Sequence, residues 1–212
     1  MSTWISRTLI AAVASLPLTG CDEASGLPFA SEGSALEDSG RARVSVVKLA
    51  GGAVVVAAPD GYCIDRQSLR RYGTRGFALM ARCDTVGVRG GFGSYDLAMI
   101  TVTTAPLGKG AAAPTSGEVA LTRGEGRVLS STDQDGLALV RFGAGPEPLE
   151  GVSGIHWRGA FVLNDHLVAL SLYAPEGSDA LTDGGRLLGD VARRTRSASA
   201  PRATAATLPA AD

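Results

Sequence analysis

The sequence predicts an α+β domain: a single antiparallel sheet with a short inserted helix and a C-terminal amphipathic helix packed on it. Three observations carry this expectation. Short β-branched or apolar runs recur between Gly, Pro, Asn and Asp breaks, at Val44–Leu49, Ala53–Ala58, Phe77–Cys83, Leu97–Thr104 and Leu137–Phe142. Gly154–Ala174 alternates with period 2: Ile155, Trp157, Phe161 and Leu163 share one face, and His156, Arg158 and Ala160 share the other. Asn164-Asp165 then supplies a type I′ turn, and His166–Tyr173 returns as a largely apolar strand. Finally, Leu181, Leu188 and Val191 fall at helical spacing, with Arg186, Asp190, Arg193 and Arg194 largely opposite.

The elements between these anchors follow in order. Ala50-Gly51-Gly52 separates the first two strands as a hairpin connection, and Pro59-Asp60-Gly61 is a turn. Asp65 is a helix N-cap, which predicts two helical turns over Arg66–Tyr72 before Gly73 stops them. Val86–Tyr95 carries Gly87, Gly90, Gly91 and Gly93, too irregular for a dinucleotide-binding loop, and reads as a mobile loop. Ala105–Gly117 is a Pro/Gly/Ala loop. Glu118–Ser131 is consistent with a short helix followed by a strand. Ser131–Gly136 has two carboxylates and a glycine in calcium-loop order. Its first ligand position is Ser and its closing position is Phe142, so an EF-hand is excluded and a tight turn between strands is expected. Gly184-Gly185 weakens the start of the last helix, and its basic end suits the helix dipole.

The amino terminus has the layout of an export signal. Arg7 is the only charged side chain before Asp22, and an apolar run from Leu9 to Leu18 follows it. That run is too short to span a bilayer, which needs roughly 20 apolar residues. It ends in Leu18-Thr19-Gly20-Cys21, which resembles the lipobox of bacterial lipoproteins. The resemblance implies a diacylglyceryl thioether on Cys21, cleavage after Gly20 and anchorage to the bilayer through the acylated cysteine. Two or three acyl chains hold a protein stably without a transmembrane helix. The alternative is an ordinary secretory signal with a chance cysteine. Asp22 resembles the inner-membrane retention signal of some lipoproteins, which leaves inner and outer membrane both open.

The organisation expected is therefore a signal peptide at 1–20, a flexible tether at 21–42, an α+β body at 43–196 and a disordered tail at 197–212. The tether mixes Asp22, Glu23, Glu32, Glu37 and Asp38 with Ser, Gly and Ala and sustains no apolar period. Without residues 1–20 the 20 basic residues become 19, Arg7 having left, against 21 acidic ones, a balance of −2. That balance argues neither for nucleic acid nor for a strongly acidic partner, so no nucleic-acid partner is expected. Of the three cysteines, lipid on Cys21 leaves Cys63 and Cys83 to pair in an oxidising compartment; the alternative is two buried free thiols. Their spacing is not that of a thiol oxidoreductase, and no His/Cys cluster stands beside them, so neither a metal nor a cofactor is expected.

Pro59-Asp60-Gly61-Tyr62 after an early strand, the Trp157 hairpin and the closing helix together are loosely similar to PsbP-like domains, in which helices sandwich a sheet. The similarity covers roughly residues 44–196 and carries over no functional residue.

No catalytic constellation is expected. A hydrolytic site needs a nucleophile, a base within reach and an orienter. Ser153 and Ser171 are available, yet no Gly-x-Ser-x-Gly or Ser-x-x-Lys occurs, and Gly151-Val152-Ser153-Gly154 lacks the elbow spacing. The two histidines, His156 and His166, are expected two pairs apart on neighbouring strands. The functional expectation is a lipid-anchored envelope protein facing the periplasm, with a non-catalytic accessory or protein-interaction role and a possible envelope protein partner. One alternative is a periplasmic small-ligand-binding module using the glycine-rich loop and Trp157, His156 and Arg158. Another is a hydrolase using His156 or His166.

Overall fold

The computed structural model describes residues 43–86, 98–122, 127–143 and 151–201. The lipobox, the tether, most of the glycine-rich loop and the segment after Pro201 lie outside these residues.

The fold is α+β, with antiparallel pairing throughout the described strands and a long helix at its C-terminal end. β1 (Val46–Leu49) and β2 (Val54–Ala57) form a two-stranded ladder of their own, joined by one 3-10 turn at Ala50–Gly52. The larger sheet contains β3 (Tyr62–Ile64), β4 (Arg70–Tyr72), β5 (Arg75–Arg82), β6 (Met99–Pro106), β7 (Val128–Gln134), β8 (Leu137–Phe142), β9 (His156–Leu163) and β10 (His166–Tyr173). Its order is β3-β5-β6-β10-β9-β8-β7, with β4 also paired to β5.

Two-residue turns set the register. Asn164 and Asp165 have φ of 49° and 58°, and Asp135 and Gly136 have 51° and 67°. Positive φ at both central residues defines the type I′ geometry that matches the twist of paired strands. The expected hairpin at 155–173 is therefore present, with His166 opposite Leu163 and Tyr173 opposite His156. Within Ser131–Gly136 the expected tight turn is Asp135-Gly136, while Ser131–Gln134 belong to β7; the Asp133 carboxylate accepts from the backbone N–H and hydroxyl of Ser116, both at 2.7 Å.

One expected helix is absent. Asp65 caps a single turn, its Oδ1 accepting from Gln67 N–H at 2.9 Å, after which Arg70–Tyr72 pairs as β4 with Arg75–Phe77. The physical reason is the lack of an apolar stripe. Leu69 is the one aliphatic side chain between Arg66 and Tyr72, so a helix there would bury almost nothing, whereas a strand gains backbone partners on β5. The short helix lies instead at α1 (Ser116–Leu121), preceding β7 as the sequence suggested.

The two faces of the sheet are covered differently. On one, Ala78, Met80, Ile100, Val102, Leu139, Phe161, Val168, Leu170 and Leu172 pack against β1, β2 and the long helix α2 (Asp179–Ser199). Leu181, Gly184, Leu188, Val191 and Thr195 form the buried face of α2, at spacings of three and four residues. Thr195 Oγ1 accepts from Ala57 N–H at 3.3 Å and Ser199 Oγ from Val55 N–H at 2.8 Å, so the end of α2 satisfies the outer edge of β2. On the other face, Val119 of α1 closes a smaller cluster over Ala138, Val140, Phe142 and Ala160.

α1 is too short to persist alone, and its capping box matters accordingly. Thr115 Oγ1 accepts from Glu118 N–H, and the Glu118 carboxylate accepts from Thr115 N–H at 2.7 Å. The hydrogen bond from the Thr115 backbone, with that from its side chain, holds the Glu118 carboxyl below its ordinary pKa. A lowered carboxyl pKa contributes stability above the ordinary carboxylate range, and that stability is lost as pH falls through the folded-state value. Thr115→Ala is therefore expected to lower stability near neutral pH and to have a smaller effect once Glu118 is protonated. Urea midpoints of both proteins across acidic pH check this; a difference that does not shrink on acidification counts against the assignment.

Cys63 and Cys83 stand at disulfide distance, 2.03 Å between sulfurs. Cys63 lies opposite Ala81, so the bond joins the three-residue edge strand β3 to the end of β5.

Candidate binding groove

Trp157 organises a concavity beside α2. It lies opposite Leu172 on β10 and Arg141 on β8, so its side chain is on the sheet face that α2 covers. Its indole Nε1 donates to the Leu181 carbonyl at 2.8 Å. The helix accommodates it only because Gly184 and Gly185 pass directly over the ring. A Cβ on Gly184 would lie 2.2 Å from Trp157 Cδ1, and one on Gly185 would lie 3.1 Å from the far ring edge. The paired glycines that weaken this helix in isolation are what let it dock.

Beside this contact runs a groove of about 670 Å³ between α2 and the β7–β8 hairpin. Leu137, Leu139, Trp157 and Gly185 make it largely apolar at the base. Ser130, Thr132 and Gln134 border it on the strand side, and Arg186, Arg193 and Arg196 on the helix side. Arg186 is paired with Asp183 at 3.0 Å and Arg193 with Asp190. Arg196 donates to the Gly136 carbonyl at 3.0 Å and lies over the Phe161 ring at 4.7 Å, fixing one end of the groove against the β7–β8 turn.

Of the three side chains suggested by sequence for a ligand, only Trp157 is here. His156 and Arg158 alternate with it and therefore point to the opposite face. His156 is buried between Phe142 and Tyr173, with ring centroids at 5.1 and 5.4 Å, and its Nδ1 is 2.9 Å from the Gly154 carbonyl. His166 Nδ1 is 2.6 Å from the Asn164 carbonyl. The two histidines stand at opposite ends of the hairpin rather than two pairs apart. A two-residue turn makes its immediate neighbours partners, so His166 meets Leu163 and His156 falls at the far end, opposite Tyr173. Ser153 is buried, with its hydroxyl donating to Glu176 at 2.7 Å. Thus His156 and His166 do not share a site. Among the described residues, no three His, Cys, Asp or Glu side chains are grouped to share a metal ion, and no helix is long and apolar enough to cross a membrane.

Sequence reasoning missed Arg186, Arg193 and Arg196 as a set. Their spacing of seven and three residues puts them along one side of a helix, a signal that was visible. It reads as an ordinary solvated face until β7 is known to run beside it.

No family model matches the chain, and no curated protein matches it. Among solved structures, the chain is similar to a point mutant of the protein Mog1 at 18% identity and a TM-score of 0.41. It is also similar to the Saccharomyces cerevisiae Ran-binding protein Mog1p at 17% identity and a TM-score of 0.40. Each alignment covers 70% of this chain and 92% of the other.

Proposed function

We propose that this is a lipid-anchored bacterial envelope protein whose folded body acts by binding, in an accessory or protein-interaction role facing the periplasm. The groove along α2 carries the reading. It combines an apolar base, a tryptophan wall, hydroxyl groups on one side and guanidinium groups on the other, a composition suited to recognition. The lipobox at Leu18–Cys21 supports the anchor, and the Cys63–Cys83 pair fits an oxidising compartment.

The experiment is crosslinking in intact cells, followed by the intact mass of the protein purified from membranes. The expected mass is that of Cys21–Asp212 plus lipid, with a reproducible crosslinked envelope partner. An unlipidated mass removes the anchor, and recovery of no partner under several growth conditions removes the interaction role.

A second reading, a small-ligand-binding module, is favoured by the groove volume alone, which falls within the roughly 300–1,000 Å³ of ordinary ligand sites. A thermal-shift screen of small metabolites without a hit removes it.

A further inference from the structure

We propose that the β4–β5 hairpin and the start of the body form a basic face that seats the protein on anionic phospholipid headgroups; this rests on the lipid-anchored reading above and adds the side by which the body meets the bilayer.

Between Asp60 and Asp84 stand five arginines, Arg66, Arg70, Arg71, Arg75 and Arg82, against one carboxylate, Asp65. The whole chain holds 20 basic and 21 acidic residues, so this is a local concentration. Arg82 pairs with Asp84, and the fold gathers the other four. Tyr72 and Arg75 flank the two-residue turn Gly73-Thr74, where the positive φ of 56° at Gly73 fits a type II′ hairpin. They are therefore an opposed pair on one face, and Arg70, two residues from Tyr72, shares that face. Arg71 alternates to the other face, where its Nε donates to the Lys48 carbonyl at 2.9 Å and brings β1 alongside.

These charges are not neutralised within the body. Lys48, Arg66, Arg70, Arg71 and Arg75 are all exposed, and among the described residues none has a carboxylate partner. Arg70 donates from Nη1 to the Gln67 and Leu69 carbonyls, and Arg71 from Nε alone. A neutral carbonyl leaves the positive charge uncompensated and the other nitrogens of each fork open. The Asp65 carboxylate is bonded to the Gln67 N–H. Tyr72, 69% exposed, adds an aromatic ring of the kind that settles at headgroup level.

The point of attachment favours the bilayer over other anions. The described body begins at Arg43, itself exposed, and the Val44 carbonyl accepts from Ile64 N–H at 2.6 Å, directly before Asp65 and Arg66. An anchor at Cys21 thus joins the body at its basic end. Lipid attachment is commonly paired with a basic patch, each cation adding affinity for an anionic leaflet. The groove borders β7, at the other end of the sheet order from β5, and stays open to a partner.

The test uses the full chain carrying Cys21→Ser, which cannot take the acyl group, sedimented with vesicles of phosphatidylcholine alone or with about 30% phosphatidylglycerol. The readout is the difference between the two vesicles, because the apolar run from Leu9 to Leu18 is common to both measurements. Phosphatidylglycerol is expected to raise partitioning at least about tenfold, and about 0.5 M salt to abolish the gain. Arg66→Gln with Arg75→Gln is expected to lower partitioning onto the mixed vesicles roughly 25-fold, about fivefold for each charge. Neither side chain has a partner to lose among the described residues, so both variants should fold. Arg127→Gln, next to β7, is expected to change partitioning by less than about twofold. Equal partitioning onto both vesicles overturns the proposal, as does a loss from Arg127→Gln as large as that from Arg75→Gln. Binding to a short DNA duplex or to inorganic phosphate with none to vesicles overturns it in favour of another anion. The anchor fails separately: an unlipidated mass of the membrane-purified protein removes it whatever the vesicles show, whereas charge-independent partitioning removes the basic face even where Cys21 carries lipid.

Discussion

Gly184→Ala is expected to destabilise the protein by about 2 kcal/mol, the opposite of what helix propensity predicts. Alanine in a helix interior is favoured over glycine by about 1 kcal/mol. Against this, the new methyl would stand 2.2, 2.5 and 2.8 Å from three atoms of the Trp157 indole, a rigid ring that cannot bend aside. Overpacking of a formed core costs roughly 1–3 kcal/mol and occasionally more, and here the displaced ring also loses its hydrogen bond to Leu181. The clash wins, and a fall of roughly 5 °C in Tm is expected for a body of this size. Gly189 provides the contrast on the same helix: nothing lies within 4 Å of the position of its Cβ, so Gly189→Ala is expected to stabilise by up to about 1 kcal/mol. Thermal unfolding of the two variants checks both signs. A neutral or stabilising Gly184→Ala would mean that Trp157 does not pack beneath Gly184. A Trp157→Leu change in the Gly184→Ala background should recover part of the loss, a non-additivity that identifies the contact itself.

Replacing Cys63 and Cys83 together by alanine is expected to cost about 3 kcal/mol, from the loop that the bond closes in the unfolded chain across a sequence separation of 20. The loss should be concentrated at one edge. β3 has three residues, and among the described residues β5 is its only partner strand, so without the crosslink its amides are expected to exchange faster than those of β6 or β10. Urea unfolding gives the size of the effect, and hydrogen exchange gives its location. Reducing agent should reproduce the loss in the unaltered protein. An unchanged midpoint on reduction would mean that the thiols are unpaired in solution.

The best-read parts of the fold are those whose patterns are local. Period-2 alternation over 155–173 and the Asn164-Asp165 turn fix β9 and β10 with their faces, because burial on one side admits a single register. Spacings of three and four identify α2. The Arg66–Tyr72 segment was misread because a good N-cap at Asp65 marks where a helix can begin without supplying an apolar face to keep it. The separation of β1–β2 from the main sheet was not legible either, since whether a hairpin joins a sheet or covers it depends on contacts with α2, which lies 138 and 144 residues away at the two side-chain hydrogen bonds that join them. The groove was only half readable. Trp157 marked the place, but its arginine wall and strand border come from elements that are remote in sequence and adjacent in space.

The two ends of the main sheet are not equivalent. At the β3 end the strand is short, crosslinked to β5, and its Ile64 N–H is taken by the Val44 carbonyl at 2.6 Å. At the β7 end, among the described residues, a stretch of backbone stays open. Head-to-tail growth of a fibre needs a free edge at both ends of each unit, whereas one free edge permits only a closed pair. Self-association through β7 would therefore stop at two copies.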